Sequence, residues 1–226
     1  MADLMRFMKK LLITIDGPAG AGKTTVSRAL ADRLGYRYID TGALYRAVAL
    51  AAKTRGINPE NDAELKVLCA ELELAFVPAE TGMRLFLNGG DITDHLRTAE
   101  ITMLASAISA RPVVRAYLLD LQRNLGKEKA AVFEGRDMGT VVFPDADLKF
   151  FLDATTRTRA LRRYDEVKSQ STQTLEEVDL DIQRRDRNDS TRELAPLKPA
   201  QDAIVIDSTD LSVAEVVDLM VSYIVE

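Results

Sequence analysis

The chain has 226 residues, of which 46% are hydrophobic and 29% are charged, the composition of a globular protein long enough to bury a core. The net charge of −5 argues against a nucleic-acid partner, and no apolar run approaches the ~20 residues of a membrane span. The single cysteine, Cys69, excludes a disulfide within the chain and favours a reducing compartment. Residues 1–10 lack the apolar region of a signal peptide, so we expect a cytoplasmic protein.

The first predicted elements are a strand over Leu11–Ile15 and a helix over Lys23–Leu34. Between this strand and the first turn of this helix lies the segment Gly-Pro-Ala-Gly-Ala-Gly-Lys-Thr. It has the G-x-x-x-x-G-K-[ST] spacing of a phosphate-binding loop, or P-loop. Its glycines allow successive backbone N–H groups to face a phosphate, and the helix N-terminus adds the positive end of its dipole. The motif predicts that Lys23 reaches the outer phosphates of a nucleoside triphosphate and that Thr24 ligates Mg²⁺. The predicted nucleotide site comprises Gly17, Pro18, Ala19, Gly20, Ala21, Gly22, Lys23, Thr24 and Thr25.

Apolar runs that predict strands alternate with longer helical patterns along most of the chain. Continuous apolar strands separated by helices predict an α/β fold, with a parallel sheet covered by helices on both faces. Ligands of such folds bind at the carboxyl ends of the strands. The other predicted strands are Tyr36–Ile39, Ala131–Phe133, Leu148–Leu152 and Ala203–Ile206. The other predicted helices are Ala43–Arg55, Val113–Leu125, Thr156–Lys168, Leu175–Arg187 and Val213–Ile224.

Two regions interrupt this alternation. After a helical pattern at Ala63–Leu72, in which Cys69 is best explained as a core residue, two strand-like runs occur at Leu72–Val77 and Met83–Leu87. Turn residues join and follow these runs, so we predict a small antiparallel sheet inserted into the core. The second region, from about Arg157 to Arg192, is strongly charged and rich in arginine.

Asp40, Thr41 and Arg46 follow the second predicted strand. Asp40 or Thr41 could simply cap the next helix. Arg46 lies one turn into that helix, beside the carboxyl edge of the sheet, where a guanidinium group could bind a second phosphate. These residues alone favour neither interpretation over the other.

A second motif, Glu134–Thr140, follows the strand Ala131–Phe133 and places Arg136 and Asp137 between two glycines. The motif could be a turn that carries a solvated ion pair of little energetic value. Its position at the carboxyl end of a strand favours a binding role.

Arg185, Asp189 and Arg192 have the spacing i, i+4, i+7 and would share one face of a helix near its end. Taken alone, this spacing is better explained by a solvated surface. Several arginines beside one P-loop lysine nevertheless favour phosphoryl transfer between two anionic substrates, because its catalysis is mostly positioning and charge stabilisation. The lone histidine, His95, gives no support to a metal hydrolase.

Taken together, these motifs make the whole chain resemble the bacterial cytidylate kinases, a family of the nucleoside monophosphate kinase superfamily. The P-loop alone indicates only the wider class. The Gly-Arg-Asp-Met-Gly-Thr segment, together with the inserted sheet, is far more specific to this family. The matching segments run in family order over nearly the full length: Ile15–Lys23, Asp40–Arg46, Gly135–Pro144, Phe151–Ala154, the Arg185/Asp189/Arg192 spacing, Ala195–Leu197 and Asp207–Thr209.

The resemblance implies ATP-dependent phosphorylation of CMP and dCMP by a monomeric enzyme, with Mg²⁺ as cofactor. It implies one P-loop kinase core over residues 1–226, with a monophosphate-binding region at about 41–112 and an arginine-bearing lid at about 157–190. Two alternatives stay open. One is a UMP/CMP kinase or another small-molecule P-loop kinase, and the other is a nucleotide-dependent switch, which would be indifferent to CMP.

By position, the resemblance implies that Arg46, Arg136 and Arg192 hold the CMP phosphate and that Arg185 and Asp189 contact the pentose. The implied catalytic residues are Lys23, Arg46, Arg136, Arg159, Arg163 and Arg192. The implied substrate-binding residues are Thr41, Arg46, Ser106, Arg115, Arg136, Asp137, Arg185, Asp189 and Arg192.

The implied readers of the cytosine ring are Ser106, Arg115 and Asp137. A carboxylate can accept a hydrogen bond from the cytosine amine, and an arginine can donate to its ring acceptors. Uracil has an acceptor in place of that amine, so Asp137 should disfavour UMP.

Three positions depart from the family pattern. Thr41 stands where the family often has Ser, and Glu134 stands where some relatives have Asp. Thr24 directly follows Lys23, where some members have Gly before a threonine at position 25. This last departure leaves open whether Thr24 or Thr25 dominates at the metal.

Overall fold

A computed structural model describes residues 9–80, 82–168 and 172–225 of the chain. The chain divides into two compact units. The first contains the chain through Tyr38, the segment Glu128–Thr191 and the segment from Ala195 onward; the second contains Ile39–Lys127 and Arg192–Leu194. The expectations for residues 1–8, for residue 81 of the predicted turn and for residues 169–171 of the predicted lid lie outside the described residues.

The first unit is organised around a five-stranded sheet with the order β2-β6-β1-β7-β8. Its strands are β1 (Leu12–Asp16), β2 (Arg37–Asp40), β6 (Ala131–Glu134), β7 (Leu148–Asp153) and β8 (Ile204–Asp207). Strand β1 is buried along its whole length and pairs in parallel with both β6 and β7. Its register places Ile15 opposite Glu134 on one side and Phe150 on the other. The carboxyl ends of these three strands therefore meet at one edge of the sheet.

In the described part of the first unit, the α-helices are α1 (Lys23–Leu34), α6 (Thr156–Val167), α7 (Leu175–Thr191) and α8 (Val213–Val225), and a short π-helix spans Met138–Val142. Val26, Leu30 and Leu34 recur along one face of α1 and are buried against the sheet together with side chains of α8. The helix ends at Gly35, which adopts the left-handed conformation that suits a helix C-terminus (φ 65°).

The second unit contains helices and a small sheet of its own. The helices are α2 (Thr41–Thr54), α3 (Asp62–Glu71), α4 (Ala99–Ile108) and α5 (Pro112–Gly126). The sheet has the order β3-β4-β5, from Leu74–Ala79, Gly82–Leu87 and Gly90–Asp91, and its strands pair antiparallel. Cys69 is buried in the apolar core of this unit, and burial raises the pKa of its thiol to about 11. This buried environment confirms the prediction that Cys69 is a core residue.

The predicted fold class is confirmed by the parallel sheet with its flanking helices and by the small antiparallel sheet. Helix α7 extends beyond the predicted end at Arg187. In this extension the hydroxyls of Ser190 and Thr191 donate to the carbonyl oxygen of Arg187, so the polar groups of these side chains are satisfied within their own helix. Helix α4 was not predicted, because its sequence has apolar residues on several faces and no clear period.

The monophosphate-binding region predicted at residues 41–112 falls within the second unit, and α6 and α7 belong to the first. A functional division into these parts stays a prediction. Within the described part of the chain, no helix combines the length and the apolar character that crossing a membrane requires.

Candidate nucleotide-binding site

The P-loop joins β1 to α1 at the carboxyl end of the central strand. Gly17 and Gly20 have φ angles of 148° and 77°, which L-residues rarely adopt. A Cβ atom on Gly17 would lie 2.0 Å from the carbonyl oxygen of Leu152, and one on Gly20 would lie 2.7 Å from that of Arg159. Both conformation and space therefore require glycine here, and the loop lies directly against β7 and α6.

Lys23 is the first residue of α1 and is only 4% exposed. Its Nζ donates a hydrogen bond to the carbonyl oxygen of Pro18 at 2.6 Å, so the ammonium group folds back over the loop. Burial, and then the positive charge of Arg136, lowers the pKa of Lys23. A bound polyphosphate would oppose this shift, because its negative charge favours the protonated amine.

Thr24 and Glu134 form the oxygen-rich part of this site. The Thr24 hydroxyl donates to Glu134 Oε1 at 2.9 Å, and the Tyr38 hydroxyl donates to Glu134 Oε2 at 2.6 Å. The guanidinium of Arg28 lies 5.2 Å from the centre of the Tyr38 ring. Thr25 is exposed, so Thr24 is the threonine that faces a carboxylate. A hydroxyl beside a carboxylate is a donor set that fits Mg²⁺, which takes oxygen ligands and often only one or two carboxylates.

Asp16, the last residue of β1, supports the turn that carries Asp137. Its carboxylate is buried and accepts hydrogen bonds from the backbone N–H groups of Met138, at 2.9 Å, and Gly139, at 2.8 Å. Burial raises the pKa of Asp16 to about 6, although the two N–H donors oppose that shift. No local sequence pattern marks Asp16 for this role, because its partners lie on a turn that is distant in the chain.

Arg136 and Asp189, both predicted to bind substrate, lie together in the first unit. Arg136 Nε donates to Asp189 Oδ2 at 2.9 Å. Burial opposes the charged form of Arg136, but the negative charge of Asp189 and this hydrogen bond raise the pKa of Arg136 nonetheless. Asp137 is only 2% exposed, so the motif does not form the solvated Arg–Asp turn that was the alternative. The charge of Arg185, one turn before Asp189 on α7, also lowers the pKa of Lys23.

The two predicted lid arginines on α6 differ in environment. Arg159 is 6% exposed, and its guanidinium donates to the carbonyl oxygens of Ala154 and Ala19 and to the carboxylate of Asp186. Arg163 is partly exposed and pairs with Glu166 at 3.0 Å on the helix surface. Of these two arginines, Arg163 is the one whose side chain can turn towards a ligand. The side chain of Arg159 would first have to leave the protein interior.

In the second unit, Asp40 caps α2, as one interpretation of its motif predicted. Its Oδ1 accepts from the N–H of Ala43 at 3.1 Å, and its Oδ2 accepts from Arg46 Nη2 at 2.7 Å. Arg97 lies 3.7 Å from the same carboxylate. The Nε of Arg46 is buried and has no hydrogen-bond partner among the described residues, so part of this guanidinium can still serve a ligand. Thr41 is buried at the start of α2.

Two predicted substrate-binding residues of the second unit, Arg115 and Arg192, lie next to Ser109. Arg115 Nη1 donates to the carbonyl oxygen of Ser109 at 3.1 Å, and its guanidinium lies 5.8 Å from the centre of the Tyr45 ring. Arg192 Nη1 lies 3.4 Å from the Ser109 hydroxyl. The buried hydroxyl of Ser106 has no partner among the described residues, as expected of a group that awaits a polar ligand. Ser109 itself was missed, since a lone serine carries no sequence signal.

The P-loop at the end of a central parallel strand places the protein in the class of P-loop nucleotide-binding proteins. A solved structure described as a gluconokinase from Sinorhizobium meliloti has this fold, with a TM-score of 0.50 at 14% sequence identity over 96% of this chain and 93% of that one. The likeness at this identity concerns the fold alone.

The sequence relatives define the family of the chain far more narrowly than the likeness in fold does. The sequence model of the family described as cytidylate kinase matches residues 13–226. Proteins named cytidylate kinase from Geobacter sulfurreducens and Citrifermentans bemidjiense are 55% and 49% identical to the chain, each match covering 96% of this chain and 93% of the relative. The chain belongs to the cytidylate kinase family. The family, the enzyme class and the function predicted from the sequence are confirmed.

Proposed function

We propose that the protein transfers the γ-phosphoryl group of ATP to CMP and dCMP, which yields ADP and the cytidine diphosphates. An oxygen of the acceptor phosphate forms the new bond to phosphorus, and the bond to the β-phosphate oxygen of ATP breaks. The observation that carries this proposal is the P-loop with its buried Lys23, in a chain that belongs to this family. Family membership also favours a kinase over a nucleotide switch.

On the donor side, the backbone N–H groups of the P-loop and the Nζ of Lys23 bind the phosphates of ATP. Lys23 exchanges its hydrogen bond to Pro18 for the phosphate oxygens. Thr24 and Glu134 would hold Mg²⁺, which neutralises charge on the phosphates when it is bound. Of the two predicted lid arginines, we assign contact with the transferred group to Arg163, because its side chain is the more exposed.

On the acceptor side, the roles are those expected from the sequence. Arg46, Arg136 and Arg192 bind the acceptor phosphate, since planar guanidinium groups match phosphate oxygens in pairs. Ser106, Arg115 and Asp137 read the base, and Arg185 and Asp189 contact the pentose. The unsatisfied atoms Arg46 Nε and Ser106 Oγ support two of these assignments. The cytoplasmic location and the monomeric state, without nucleic-acid or membrane partners, stay predictions.

The first test is ADP formation from ATP in the presence and absence of CMP, followed by the same assay with each common nucleoside monophosphate. We expect ADP release that depends on CMP or dCMP, with little response to UMP. ADP release that ignores every monophosphate would instead support the nucleotide switch. Equal rates with CMP and UMP would support the broader UMP/CMP kinase.

The proposed metal site predicts a specific defect in Glu134→Gln. A neutral amide is a weaker ligand for Mg²⁺ than a carboxylate, so we expect the Mg²⁺ concentration for half-maximal activity to rise about tenfold or more. The measurement is a Mg²⁺ titration at saturating ATP and CMP. Glu128→Gln, an exposed residue before β6, is the matched control. An unchanged Mg²⁺ requirement in Glu134→Gln would remove Glu134 from the metal site.

A further inference from the structure

Arg159 of α6 and Asp186 of α7 both bind the backbone of Ala19 in the P-loop. The N–H of Ala19 donates to Asp186 Oδ1 at 3.2 Å, and its carbonyl oxygen accepts from Arg159 Nη1 at 3.0 Å. The same Nη1 also donates to Asp186 Oδ2. The amide and the carbonyl of one loop residue are thus bound by a single ion pair.

The guanidinium of Arg159 is anchored on both sides of this contact. Its Nε donates to the carbonyl oxygen of Ala154 at 2.9 Å, and its Nη2 donates to the Thr156 hydroxyl at 3.1 Å. Every nitrogen of the group therefore has a protein partner. A guanidinium that is 6% exposed and bonded in this way would have to break several hydrogen bonds before it could reach a phosphate.

Apolar packing reinforces the same contact. Ala19 lies in a small buried cluster with Ala160 of α6 and with Val178 and Ile182 of α7. Next to it, Gly20 approaches α6 so closely that a Cβ would lie 3.0 Å from the Cβ of Arg159. The two helices and the P-loop therefore pack as one body at Ala19 and Gly20.

We propose that Arg159 and Asp186 are positioning residues, which hold the P-loop in its nucleotide-binding conformation through Ala19 and do not themselves contact ATP. A P-loop binds phosphate through the directions of its backbone N–H groups, so a rotated peptide at Ala19 would misalign the donors that follow it. The pair fixes the two peptide groups on either side of the Ala19 Cα, Pro18–Ala19 through the N–H and Ala19–Gly20 through the carbonyl oxygen. This inference rests on the proposed use of the P-loop for ATP, and it replaces the catalytic role that the sequence predicted for Arg159.

The test uses two mild substitutions, because an alanine at buried Arg159 would leave Asp186 unpaired and could unfold the protein. Asp186→Asn keeps the shape of the side chain but removes the charge that pairs with Arg159. Arg159→Lys keeps the charge but cannot satisfy all of the partners at once. Glu176→Gln and Arg157→Gln, exposed residues on the same two helices, are the matched controls. Far-UV CD and thermal unfolding establish that each variant is folded.

Binding of Mg²⁺–ADP by calorimetry and hydrogen exchange of the amides of residues 19–22 are the two readouts. In Asp186→Asn we expect ADP binding to weaken about tenfold, which is the loss expected for a hydrogen bond to a charged group. The amides of residues 19–22 should exchange faster, the KM for CMP should stay unchanged, and both controls should behave as wild type. Arg159→Lys should show the same pattern to a smaller degree.

The inference is overturned if both variants bind ADP as wild type does and exchange at the same rate in residues 19–22. It is also overturned if Arg159→Lys lowers kcat while ADP affinity and exchange are unchanged, since Arg159 would then act on the transferred group. These outcomes differ from a failure of the proposed function, in which the wild-type protein itself would bind no ADP or would release no ADP in response to CMP.

Discussion

Lys23→Ala is expected to lower kcat for CMP phosphorylation by about 100-fold or more, the loss typical of removing one preorganised charge or donor from a transition state. The transferred phosphoryl group develops negative charge on its equatorial oxygens, and the Lys23 ammonium is a buried positive charge that is hydrogen-bonded to the loop. The fold should survive. Burial already lowers the pKa of Lys23, which means that its charged form is not favoured by the protein interior alone.

The measurement for Lys23→Ala is CMP-dependent ADP release, together with far-UV CD and thermal unfolding. Lys66→Ala, an exposed lysine on α3, is the control for loss of a lysine as such. Retention of more than about a tenth of wild-type turnover, a loss below about 1.4 kcal/mol, would contradict the assignment of Lys23 to the transferred phosphate.

Asp137→Asn is expected to change the base preference of the enzyme. A carboxylate only accepts hydrogen bonds, so it matches the amine of cytosine and opposes the carbonyl of uracil, whereas an amide can also donate. We expect kcat/KM for CMP to fall about tenfold or more while kcat/KM for UMP holds or rises. The buried position of Asp137, directly before the turn that Asp16 holds, makes its side chain well positioned for such discrimination.

A purely structural role for Asp137 gives a different result. If Asp137 only shapes the turn, both substrates should weaken together and the melting temperature should fall. Measuring kcat/KM for CMP and UMP in Asp137→Asn decides between the two roles, with Asp120→Asn on the surface of α5 as the control. An unchanged CMP/UMP ratio in Asp137→Asn would end the assignment of base specificity to Asp137.

The sequence by itself determined the features that depend on local spacing. The eight-residue P-loop motif predicts both its own conformation and the helix that follows. It can do so because its glycines, lysine and threonine lie close together in the chain. Alternating apolar runs predicted the parallel sheet, and α1 has the predicted bounds. The motif order over the chain predicted the family that the comparisons confirm.

Only the tertiary structure decided which distant residues share a site. Thr24 and Glu134 are 110 residues apart, Asp16 and Met138 are 122 apart, and Ala19 and Asp186 are 167 apart. No local pattern encodes these pairs. They follow from the parallel register that sets β1 beside β6, with Ile15 opposite Glu134, and from the packing of α7 against the loop that leaves β1. The sequence could therefore name Arg159 as an arginine of the lid, but its burial and its bonds to Ala19 and Asp186 arise only when strands and helices distant in the chain pack together.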